Sequence, residues 1–139
     1  MRGANRGLRY RAGLLACLGV VVFSLLVAAP GAADTGQDYA IANGADIINF
    51  SFVGAGYSQT LDNAIKRAHD AGIIIVAAAG NEQDEGDGYS LDETPMYPAC
   101  HDGKNGENMV IGVAATDTLD QKAIFSSHGF KCVDIAAPG

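Results

Sequence analysis

Two apolar runs separated by one helical repeat constrain this chain most. Asp46-Ile47-Ile48-Asn49-Phe50-Ser51-Phe52 and Ile73-Ile74-Ile75-Val76-Ala77-Ala78 are rich in β-branched and aromatic residues and read as strands. Between them Leu61, Ala64, Ile65 and Ala68 recur at the three- and four-residue spacing of a helix with one buried stripe. Ser58 stands where an N-cap belongs, and Gly72 ends the pattern. Strand, helix, strand is a βαβ unit, whose strands pair in parallel through a right-handed crossover. The class is therefore α/β with a parallel sheet.

Other segments extend that sheet. Gln37 to Asn43 reads as the tail of a helix that Gly44 ends. Met109 to Ala115 is a third apolar strand, Asp117 to Asp120 a turn, and Ala123–Ser127 and Val133–Ala136 read as shorter strands. The beginning of the chain reads differently. Arg2, Arg6, Arg9 and Arg11 form a basic start, Gly13 to Ala29 is almost unbrokenly apolar, and Pro30-Gly31-Ala32-Ala33 supplies small residues. That order is expected of a secretory signal-peptide helix over residues 1–33, cleaved after Ala33 and followed by a domain over 34–139. The alternative is an uncleaved membrane anchor, since the run is near the short limit of about 17 residues for a spanning helix.

The chain carries a net charge of −7, and all 16 acidic residues lie at or beyond Asp34, whereas four of the arginines precede it. A domain this acidic disfavours nucleic acid and anionic membranes as partners. Of the three cysteines, Cys17 lies in the leader, so Cys100 and Cys132 remain, and export permits them to pair.

Chemistry points to the end of the second strand. Ala77-Ala78-Ala79-Gly80-Asn81 closes it with small residues, a glycine and a carboxamide. An asparagine there can aim N–H donors at an oxygen that becomes negative during acyl transfer. The neighbouring strand ends in Ser51-Phe52-Val53-Gly54, and both ends offer the exposed backbone that peptide binding by strand addition needs. The acidic loop Glu82 to Glu93 matches no EF-hand spacing and reads as a solvated surface, so no metal or other cofactor is expected. Gly54-Ala55-Gly56 lacks the third glycine of a dinucleotide loop, because Gln59 stands there. His69, His101 and His128 are expected to be structural. Ser126-Ser127-His128 is not read as a nucleophile–base pair, because neighbours on a strand point to opposite faces. Asn49-Phe50-Ser51 spells a glycosylation sequon, but inside a buried strand.

The same segments resemble the subtilisin-like serine proteases, the subtilases. Ala42-Asn43-Gly44-Ala45-Asp46-Ile47-Ile48-Asn49-Phe50-Ser51 is similar to the family's strand before the substrate groove, and Gly72 to Asn81 to the strand leading to its oxyanion-hole asparagine. Tyr97-Pro98-Ala99, Val113-Ala114-Ala115-Thr116-Asp117, Phe125-Ser126-Ser127-His128-Gly129 and Val133-Asp134-Ile135-Ala136-Ala137-Pro138-Gly139 follow in the family's order. The resemblance implies a three-layer subtilisin-like fold, here incomplete, that acts on peptide or protein substrates outside the cell. It implies that Asn81 is the oxyanion donor, that Ser51, Phe52, Val53, Gly54, Ala78, Ala79 and Gly80 flank the bound peptide, and that Cys100 and Cys132 form a disulfide. Val53 stands where the family usually has glycine. The family's His-Gly-Thr-His and Gly-Thr-Ser-Met segments do not occur in the 139 residues; Asp34-Thr35-Gly36 spells its aspartate motif, but directly after the leader. The expectation is thus a partial catalytic domain, inactive alone; the alternative is a non-catalytic peptide-binding pseudoprotease.

Overall fold

A computed structural model describes residues 20–23, 32–81, 87–103 and 106–139 of the protein. Five strands, β1 (Val20–Phe23), β2 (Ile47–Phe50), β3 (Ile74–Ala78), β4 (Ile111–Thr116) and β5 (Ile135–Pro138), form one sheet in sequential order. Every pair is parallel. Helices α1 (Ala32–Ala42) and α2 (Gln59–Asp70) lie in the first two crossovers.

The βαβ unit forms as its periodicity requires. The Ser58 hydroxyl accepts from the Leu61 amide at 3.3 Å, capping α2. Its buried stripe is Leu61, Ala64, Ile65 and Ala68. Gly72 (φ 81°) takes the left-handed conformation that turns the chain into β3. The stripe packs with Ala40 of α1 against Ile48, Phe50, Ile75 and Ala77, so the main core lies between the helices and one face of β2 and β3. A second cluster, with Ala79, Leu91, Met96, Ala114 and Cys132, extends it beside β4. There the chain crosses so close to β4 that a Cβ on Gly112 would sit 1.9 Å from the Cys132 carbonyl oxygen. The Asp134 carboxylate accepts from the Gly112 amide at 2.7 Å and from the Asn108 carboxamide, which fixes the entry to β5.

Two expectations need correction. Val20–Phe23, the described part of the expected leader helix, is a strand pairing with Ile47–Phe50. Three consecutive valines favour a pleated edge, and an unbroken apolar run has no period to separate strand from helix. The rest of residues 1–31 lies outside the described residues. Ala123–Ser127 is not a strand: Ser126 N–H donates back to the Ala123 carbonyl, forming a turn. The incomplete three-layer arrangement stands as expected, with the sheet and one helical layer formed by the described residues. Side chains alternate, so the opposite face carries Ile47, Asn49, Ile74, Val76, Val113 and Ile135; Ile74 and Ile135 are about half exposed. No helix among the described residues is long and apolar enough to cross a membrane.

Candidate functional site

Parallel sheets gather chemistry beyond their carboxyl ends, and the carboxyl ends of β2, β3, β4 and β5 frame a cavity of about 450 Å³. Ser51, Ala78, Gly80 and Asn81 line it, with Asn49, Ser126 and Gly139. The Asn49 carboxamide donates to Ser51 Oγ at 2.8 Å, so the sequon asparagine is engaged at this rim.

Asn81 is exposed, and its carboxamide has no hydrogen-bond partner among the described residues. Its main chain is held firmly. Ala79 N–H donates to the Val113 carbonyl at 2.9 Å, and Ser127 N–H donates to the Gly80 carbonyl at 2.9 Å. Ser127 Oγ donates to the Asn81 carbonyl at 3.4 Å and accepts from Tyr89 N–H at 3.1 Å. Gly80 has φ 100°, a conformation glycine adopts without strain. The result is a fixed backbone at the cavity rim, carrying a carboxamide that no described residue engages.

The other named residues are placed differently. Phe52 is half-buried, its ring edge-on to Phe50 at 5.4 Å, and packs against the core. Val53 folds over Gly80: a Cβ built there would meet its methyl groups at 3.1 and 3.3 Å. Gly54 exchanges two backbone hydrogen bonds with Tyr97, at 2.8 and 2.9 Å, and so is anchored away from any phosphate-loop role. Ala79 is buried in the second cluster. Cys100 and Cys132 are joined by a disulfide with Cα atoms 4.8 Å apart.

The histidines are dispersed. His69 is half-buried on α2, and its Nδ1 lies 3.9 Å from Asp70. His128 is exposed and engages Tyr89 and Leu91 through its backbone. Ser127 Oγ is occupied by Tyr89 and Asn81, and Ser126 Oγ accepts from Ala115 N–H at 2.8 Å, so neither forms a pair with an imidazole. Asp34 lies in the first turn of α1, and its side chain lies outside the described residues. In the acidic loop, residues 82–86 lie outside the described residues. Asp92 accepts from the Phe130 and Lys131 amides at 3.1 and 2.9 Å, which holds its carboxyl below the usual carboxylate range. Among the described residues no three acidic, histidine or cysteine side chains converge to hold a metal.

Two placements lay beyond sequence reasoning. Ser127 holds the main chain of Asn81 across 46 positions. His101, read only as structural, is wholly buried and pairs with Asp62 through Nδ1 at 3.2 Å. Neither carries a local signal, because each depends on contacts between distant segments.

The sequence profile of the Subtilase family matches residues 28–139. Subtilisin DY of Bacillus licheniformis is 38% identical over 105 residues, which span 76% of this chain and 34% of that protein. The minor extracellular protease Epr of Bacillus subtilis (strain 168) is 36% identical over 104 residues, 75% of this chain and 14% of that protein. Among solved structures, a psychrophilic subtilisin-like protease from the Antarctic psychrotroph Pseudoalteromonas sp. AS-11 superposes with a TM-score of 0.61 at 31% identity, over 76% of this chain and 21% of that one. The chain thus spans about a third or less of the relatives it matches.

Proposed function

The chain belongs to the subtilase family, and from that premise we propose that it is the peptide-binding, oxyanion-donating portion of a secreted serine endopeptidase. The observation that carries the reading is the Asn81 carboxamide, without a partner among the described residues and fixed by its backbone at a cavity lined by the carboxyl ends of β2, β3, β4 and β5. A substrate backbone laid between Ser51–Gly54 and Ala78–Gly80 brings its scissile carbonyl to that rim. The carboxamide N–H then meets the oxygen as it gains charge, and a donor already in place needs no reorganisation at that moment. Loss of the equivalent asparagine in subtilisin is the reference case for this effect, about 10²–10³ in turnover, and that magnitude is borrowed from it.

A serine protease also needs a nucleophilic serine, a histidine to take its proton and an aspartate to orient that histidine. The described serines and histidines form no such set. The chain by itself therefore binds peptide without cleaving it. Export rests on the basic start, apolar run and small residues before Asp34; cleavage after Ala33 removes β1 with the leader. Intact mass of the exported protein tests that step.

The decisive experiment pairs a fluorophosphonate probe with peptide titration by fluorescence anisotropy. Saturable peptide binding without covalent labelling is the expected result. Labelling of any serine, or no binding, contradicts the proposal. The packing of Val53 over Gly80 also limits the side chain a peptide can insert between the strand ends. Val53→Gly is expected to raise affinity for peptides with a large aromatic residue over those with alanine, and unchanged preference would remove Val53 from the site.

A further inference from the structure

A second cavity, of about 500 Å³, opens between the first half of α2 and the segment after the disulfide, and shares no lining residue with the first. Its wall holds His101, whose side chain is fully buried. The imidazole meets two rings at a tilt, Tyr97 at 4.6 Å and Tyr57 at 5.2 Å between centroids. Nδ1 faces Asp62 Oδ1 at 3.2 Å. An ionised carboxylate accepts only, so Nδ1 carries the proton and Nε2 presents a lone pair. Burial outweighs the Asp62 carboxylate and pushes the imidazole below its ordinary pKa, which keeps it neutral at pH 7. Among the described residues, Nε2 is buried and without a hydrogen-bond partner, and so is Asp102 Oδ1 on the same wall.

Two unpaired buried acceptors in one cavity require a donor. Glu107 adds a further negative charge to the wall. Lys66, the one described cation there, directs its ammonium to Asp70 at 3.2 Å. The tyrosine rings add faces that attract cations.

We propose that this cavity binds a primary alkylammonium group, which donates to His101 Nε2 and Asp102 while its chain packs against Tyr57 and Tyr97. The ammonium comes from a free alkyl amine or from the lysine side chain of another polypeptide. The two sources share this chemistry and differ in whether the site admits a peptide backbone.

The test is titration of the full chain at constant pH with cadaverine, with capped Nα-acetyl-lysine methylamide and with neutral 1-pentanol, read at the His101 ring nitrogens by NMR. A saturable Nε2 shift with cadaverine alone assigns a free amine. A shift with capped lysine as well assigns a side chain, and both results uphold the site. Asp102→Asn is expected to weaken binding about fivefold or more, and Glu107→Gln, at an exposed residue, less. An equal shift with pentanol, no shift with either cation, or unchanged affinity in both variants overturns the proposal.

Discussion

Ile74 and Ile75 are neighbours on one strand, yet Ile74 is 50% exposed and Ile75 2% exposed. The difference belongs to the two faces of the sheet. One face lies beneath α1 and α2 and forms the core; the other carries Ile47, Val76, Val113 and Ile135 with no helix over it among the described residues. Both faces are aliphatic, as expected of parallel strands built to be covered twice. Stability therefore resides on one side, and the cavity bearing Asn81 opens where the strands end. Sequence composition marks both faces as interior, and only the packing separates them.

The largest effect that would break this contrast comes from truncation. Ile48→Ala, on the covered face, is expected to cost about 2–5 kcal/mol, and Ile74→Ala, one strand away on the open face, within about 1 kcal/mol. Denaturant titration of the two variants checks this, and equal losses would mean the open face is covered. Next in size is the disulfide, which ties the cluster beside β4 across 32 positions. Replacing Cys100 and Cys132 by serine should remove about 2–4 kcal/mol, read from the same unfolding curves. A different quantity responds on the open side: its exposed aliphatic residues are expected to drive self-association, and Ile74→Lys with Ile135→Lys should reduce it in sedimentation velocity without lowering the melting temperature.

The smallest effect is pH-dependent and concerns the covered side, where His101 pairs with Asp62 of α2. Its folded pKa lies below the ordinary value of 6.5, chiefly through burial. Below that value the unfolded chain binds more protons than the folded one, so stability falls as pH drops from about 6.5 through the lower folded pKa. The melting temperature should decline over that window, and His101→Gln should flatten the slope. A slope unchanged by the substitution would show that His101 is not the group responsible.

The βαβ unit was legible because its evidence is local: a period of strands, a helical stripe from Leu61 to Ala68, Ser58 and Gly72 at the boundaries. Asn81 was legible as a position, at the end of a strand whose last residues are small. What sequence reading missed is nonlocal or without period. Val20–Phe23 reads as part of the leader, since its pairing with β2 spans 27 positions that no local pattern reports. Ser126 and Ser127 look like a strand until their bonds to Ala115, Tyr89 and Asn81 are seen. His101 looked inert because Asp62 and the two tyrosine rings reach it only in the fold.

The most direct test of the whole account follows the Asn81 side-chain amide by NMR while an extended peptide is added to the full chain. The account predicts a saturable shift of that carboxamide together with the backbone amides of Phe52, Val53 and Gly80. A peptide that binds and leaves the Asn81 carboxamide unmoved would contradict it.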